Sequence, residues 1–96
     1  VSRNGKATTF QRRLAACVET GNLTVADLSR WFGRPYATVR TWLYDGFEPS
    51  GGPRTRHRMG VRLNRLEAAV RRHGDELNDL PMGRRAERLA QLGGMP

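Results

Sequence analysis

At 96 residues the chain has room for one small domain, which buries about two-thirds of its unfolded surface and encloses no large substrate cavity. Seventeen basic residues against nine acidic ones give a formal charge of +8, and such a surplus points to a polyanionic partner. No apolar run approaches the length of a membrane span, and the N-terminal stretch lacks a signal peptide's apolar centre, so the expected location is cytoplasmic and nucleoid-associated.

Residues 1–8 are polar, basic and without periodicity, and are expected to form a flexible arm. A first helix is expected from about Thr9 to Glu19. Phe10, Leu14, Cys17 and Val18 share its inner face, Arg12 and Arg13 face solvent, and Gly21 ends it. Cys17 is thereby a small core residue before it is a reactive one. A lone cysteine makes no internal disulfide, which suits a reducing compartment.

The segment Leu23 to Leu43 carries the densest information. Thr24 followed by Asp27 reads as a capping box opening a helix near Val25. Val25, Leu28 and Phe32 share one face of it, and Ser29 is small enough to let another helix approach. Gly33 stands where the chain must turn sharply, a position that favours positive φ. Pro35 fits the first turn of a second helix, whose inner face is Val39, Trp42 and Leu43. Tyr36, Ala37, Arg40, Thr41 and Tyr44 point the other way, a mixture suited to base edges, while Arg34 and Thr38 flank it as candidate phosphate contacts. Two short helices around a glycine turn also occur as plain core hairpins; the charge tips the reading towards DNA.

After Tyr44, glycine, proline and serine recur so often up to Arg58 that a loop of about a dozen residues is expected, with Arg54, Arg56 and Arg58 as phosphate contacts. Met59, Leu63, Leu66 and Val70 then mark a helix to about Arg72, with Gly74 as its stop. Arginines at 54, 56, 58, 62, 65, 71 and 72, against Glu67 alone, could line one phosphate track. Sixteen of the seventeen basic residues are arginine, a bias that a GC-rich genome explains better than function does. Asp75, Glu76 and Asp79 form an acidic patch, Pro81 interrupts the chain, and Ala86, Leu89 and Leu92 suggest a last amphipathic helix before a frayed end. The fold class is therefore all-α: a small bundle of four to five helices with a central helix-turn-helix. Its DNA-binding part is expected at 9–73, with a C-terminal helical extension at 74–96 that could serve oligomerisation.

In the order Ala26-Asp-Leu28, Phe32-Gly33, Tyr36-Ala-Thr-Val39-Arg-Thr-Trp42, then Gly46 and Pro49, residues 9–72 resemble the lambda-repressor and Cro-like, or Xre-like, helix-turn-helix family. The resemblance implies that the second helix of the motif lies in the major groove of duplex DNA and that a homodimer reads two half-sites. It assigns Tyr36, Ala37, Arg40, Thr41 and Tyr44 to the reading face. Arg34 replaces the family's usual small aliphatic residue and Pro35 its usual serine-like cap, which leaves the start of that helix open to distortion. The stretch Pro53-Arg-Thr-Arg-His-Arg58 also resembles the wing of MerR-like and excisionase-like proteins, although the helix ahead of the motif favours the Cro-like arrangement.

His57 and His73, with one cysteine, make no zinc set, and Gly51-Gly52 lacks the ending of a nucleotide loop. Neither an enzyme nor a cofactor nor a small-molecule ligand is expected. The reading is a duplex DNA-binding regulator of phage or mobile-element type, repressor-like. Two alternatives stay open: a packaging or recombination accessory protein, and an antitoxin-like module docking a partner through Ala86, Leu89 and Leu92.

Overall fold

The computed structural model describes residues 9–92, so the expected arm over 1–8 and the expected frayed end at 93–96 lie outside the described residues. The first helix, α1 (Thr9–Gly21), leads into α2 (Val25–Phe32) and α3 (Tyr36–Tyr44), and a long α4 (Pro53–Asp79) follows. A 3-10 turn (Met82–Arg84) and α5 (Arg85–Leu92) complete the fold. No strand occurs among the described residues, and the architecture is the small all-α bundle expected. None of the described helices is long and apolar enough to cross a membrane.

The local signals around α2 act as read. Thr24 Oγ1 accepts from the Asp27 amide at 3.2 Å, and the Asp27 carboxylate accepts from the Thr24 amide at 2.9 Å. Each of these bonds satisfies a donor that the first helical turn leaves unpaired. At the other end Gly33 adopts φ 66°, and its amide donates to the Ser29 carbonyl at 2.9 Å. The Ser29 hydroxyl donates to the Arg34 carbonyl at 2.6 Å, so one small side chain fastens both sides of the turn. Pro35 sits at the N-cap of α3 rather than inside its first turn and offers no side-chain cap. The start of α3 is nonetheless regular: the Val39 amide reaches the Pro35 carbonyl at 3.1 Å.

Leu14, Leu28, Phe32, Val39, Leu63 and Leu66 are fully buried, and burying each such side chain contributes about 1.5–3 kcal/mol. Phe10, Phe32 and Trp42 form an aromatic cluster beneath α3, with the Trp42 ring centroid 5.6 Å from each phenylalanine and edge-on to both. Two elements, α1 and α2, thereby fix the inner face of α3.

The connection after α3 is shorter than the sequence suggests. Gly51 and Gly52, at φ 110° and 97°, make the turn, and α4 starts at Pro53, where a missing amide hydrogen costs nothing. Arg54, Arg56 and Arg58 are therefore helical, and the wing-like alternative for this stretch does not form. The helix end expected between Arg72 and Gly74 coincides with a break at His73, beyond which a second helical stretch carries on to Asp79. The chain kinks there (φ −125°, ψ 20°), and the buried Gly74 packs beside Thr20 of α1.

Beyond the kink, Leu77 joins the same core as Leu14 and Leu28, and so does Leu89 of α5. Ala86 and Leu89 are buried, so the apolar stripe read as an exposed docking or oligomerisation face points inward instead. Arg85, only 6% exposed, fixes this corner: its guanidinium donates to the carbonyls of Leu77 (2.7 Å), Asn22 (2.7 Å) and Asn78 (3.3 Å). The side chain thus ties the end of α4 to the α1–α2 turn.

Candidate nucleic-acid interface

With Val39, Trp42 and Leu43 held in the core, the rotation of α3 is set and its opposite face is presented outward. Tyr36, Arg40 and Tyr44 follow at intervals of four residues and form one stripe. Tyr36 is 55% and Tyr44 64% exposed, and Arg40 and Ala37 are exposed with them. The Arg40 guanidinium carbon lies 5.9 Å from the centre of the Tyr44 ring, a cation–π contact that orders a long side chain before any partner arrives.

Thr41 stands apart from this group. It is half-buried, and its hydroxyl donates to the Thr38 carbonyl at 2.6 Å, which leaves its oxygen as an acceptor only. Thr38, also half-buried, lies towards the flank of the helix, and Arg34 is half-buried at the turn ahead of it. The structure thus brings Tyr36, Ala37, Arg40 and Tyr44 together on one exposed surface, with Arg34, Thr38 and Thr41 at its margins.

Arg54, Arg56 and Arg58 do not form the common strip read from the sequence. On a helix Arg54 and Arg58 lie about 40° apart, whereas Arg56 is about 160° from either. Arg54 and Arg58 share the outer face of α4 with Val61 and Arg62 along an open groove of about 700 Å³. Arg54 and Arg56 fall within the first four residues of a helix start that has no side-chain cap, where unpaired amides and the helix dipole favour an anion, and Arg58 lies beyond that turn. The longer track expected from 54 to 72 is interrupted too. The Arg62 guanidinium donates to the Trp31 carbonyl at 3.0 Å, so this cation holds α2 against α4.

Phe47 did not stand out in the sequence, because it follows Gly46 in a turn-rich stretch beyond the periodic part of α3. It lies 59% exposed just beyond the end of α3. Elsewhere the chemistry is quiet. Burial pushes the Cys17 thiol up to about 11, so it stays protonated and unreactive at neutral pH. Among the described residues no three His, Cys, Asp or Glu side chains gather to hold a metal ion.

Comparison of the chain with protein-family models, with characterised proteins and with solved structures found no match.

Proposed function

We propose that the protein binds duplex DNA in a sequence-specific way and acts as a transcriptional regulator of the Cro-like helix-turn-helix type. The observation that carries this reading is the outer face of α3. Exposed Tyr36, Ala37, Arg40 and Tyr44 project from a helix whose inner face is locked, in a chain of net charge +8. A helix about 10–12 Å across fits the major groove of B-form DNA, and the deep, narrow groove of A-form RNA does not admit it.

In this reading α3 enters the major groove and Arg40 donates to the O6 and N7 of a guanine, the commonest specific contact in protein–DNA recognition. Tyr44 holds the guanidinium in place from below, and Tyr36 and Thr41 contact neighbouring edges. Arg34, Thr38, Arg54, Arg56 and Arg58 contact phosphates and set the register, with the start of α4 contributing its amides. One nine-residue helix spans only a few base pairs, so a homodimer on two half-sites supplies the remaining specificity.

Selection of bound duplexes from a random DNA pool tests this reading. A two-fold symmetric site is the expected winner, with half-site centres about one helical turn apart. Failure to enrich any sequence would contradict it. Light scattering of the free protein and of the complex checks the stoichiometry; a ring of many subunits would instead favour a packaging role.

A further inference from the structure

Two of the chain's three phenylalanines, Phe10 and Phe32, pack on Trp42 in the core. The third, Phe47, leaves 59% of its surface in solvent. This exposure is built into the chain path. Gly46 takes φ 76°, which turns the backbone at the end of α3, and the Phe47 amide then donates to the Thr41 carbonyl at 3.2 Å. Two residues further on, Pro49 is buried. The backbone of Phe47 is therefore held against the last turn of α3 from one side and anchored from the other, while its ring stays out of the core. A residue after a left-handed helix stop commonly packs its apolar side chain back on the helix, and this one does so only in part.

Three residues earlier in the chain, at the C-terminal end of α3, stands Tyr44, 64% exposed. The chain's exposed aromatic surface is thus concentrated on and just after the helix proposed to read DNA. A phosphate offers a phenyl ring nothing. On the floor of the major groove the one apolar group is the 5-methyl of thymine, and phenylalanine is among the side chains that contact it.

We propose that Phe47 is a specificity-determining residue that packs against a thymine 5-methyl group at the edge of the sequence read by Arg40. This assignment rests on the DNA-reading function proposed above and adds to it a contact that is apolar, specific for thymine and independent of hydrogen bonding.

Deoxyuridine tests it, because it removes the methyl and leaves every hydrogen-bonding edge and phosphate in place. Thymines of the selected duplex are replaced singly, and wild-type, Phe47→Ala and Phe47→Leu proteins are titrated on each. One position per half-site is expected to weaken wild-type binding about fourfold, the worth of one buried methyl. Phe47→Leu is expected to keep that sensitivity. Phe47→Ala is expected to abolish it at that position alone, with the thermal melt unchanged because the ring is largely exposed. A Phe47→Ala protein that remains as sensitive as wild type at every position would overturn the inference and leave DNA reading intact. So would a selected site without thymine at the half-site edge. Wild-type protein that does not distinguish the selected duplex from a scrambled one would overturn the inference together with the reading beneath it.

Discussion

Trp31 and Arg62 exchange hydrogen bonds through each other's backbone: the Trp31 indole donates to the Arg62 carbonyl at 2.9 Å, and the Arg62 guanidinium donates to the Trp31 carbonyl at 3.0 Å. One bond uses an amide carbonyl inside α4, and the other uses a carbonyl that the end of α2 leaves unpaired. Together they lock the helix that supports α3 onto the longest helix of the fold. Arg62→Ala is expected to cost about 1 kcal/mol of stability in urea unfolding, in the range for a partly exposed charged hydrogen bond. Trp31→Phe, which loses the other bond of the pair, is expected to be similarly destabilising.

Arg85 is buried among carbonyls, which accept from its guanidinium in place of a carboxylate among the described residues. Its three acceptors lie on two different chain segments, so a fork of fixed geometry does what a single ammonium cannot. Arg85→Met is expected to lose about 3 kcal/mol, because all three bonds of the buried guanidinium, to the carbonyls of Leu77, Asn22 and Asn78, are lost together. Arg85→Lys is expected to recover less than half of the loss in thermal or urea unfolding.

Gly33→Ala tests the turn between α2 and α3. A Cβ there would meet only the Arg62 guanidinium, at 3.6 Å, so space is not the obstacle. The obstacle is φ 66°, and the expected cost is about 1 kcal/mol of stability. Calorimetric melting checks it, and an unchanged melting temperature would contradict the left-handed turn.

Glu67 and Arg13 tie α1 to α4, with Arg13 Nε donating to Glu67 Oε2 at 2.8 Å. That hydrogen bond holds the Glu67 carboxyl below its ordinary value of 4.5. A carboxylate with a lowered folded pKa adds stability that is fully present above the unfolded value. The contribution is lost as pH falls through the folded one. Glu67→Gln is therefore expected to cost about 0.5 kcal/mol near neutral pH, since the pair is partly exposed. The gap from wild type should close once the pH is well below 4.5, which paired unfolding curves at the two pH values measure.

Arg40 and Arg56 separate reading from positioning. Arg40→Ala is expected to cost about 1–3 kcal/mol of binding and to relax preference at one base pair. Arg56→Ala should weaken every sequence alike and lower the salt slope by about one. Equal loss on all sequences for both variants would contradict the division of roles.

The helix-turn-helix was legible because its signals are local: Thr24 with Asp27, the apolar positions of α2, and Gly33 each act within one or two turns of the chain. The start of α4 was not. Gly51, Gly52 and Pro53 read as loop residues by type, yet Pro53 at a first helical position begins a helix, and the charged residues after it carry no apolar period to reveal one. The end near Arg72 was legible, since the chain breaks from helical geometry at His73, but the helical stretch from there to Asp79 was not, because Asp75, Glu76 and Asp79 read only as an acidic patch. Arg62 reads in the sequence as part of a surface track and Arg85 carries no signal at all, and only tertiary contact assigns them to carbonyls. On the candidate interface, periodicity sufficed to place Tyr36, Arg40 and Tyr44 together. It failed for Arg54, Arg56 and Arg58, which an extended wing and a helix arrange differently.

The most direct test of the central claim is titration of the selected duplex and a scrambled one of equal length, at two salt concentrations, with wild-type and Arg40→Ala protein. DNA reading by α3 predicts that the wild type prefers the selected duplex by about a thousandfold or more at both salts, and that Arg40→Ala collapses much of that ratio. Equal affinity of the wild type for both duplexes, falling steeply with salt, would contradict it and leave a protein that coats DNA without reading it.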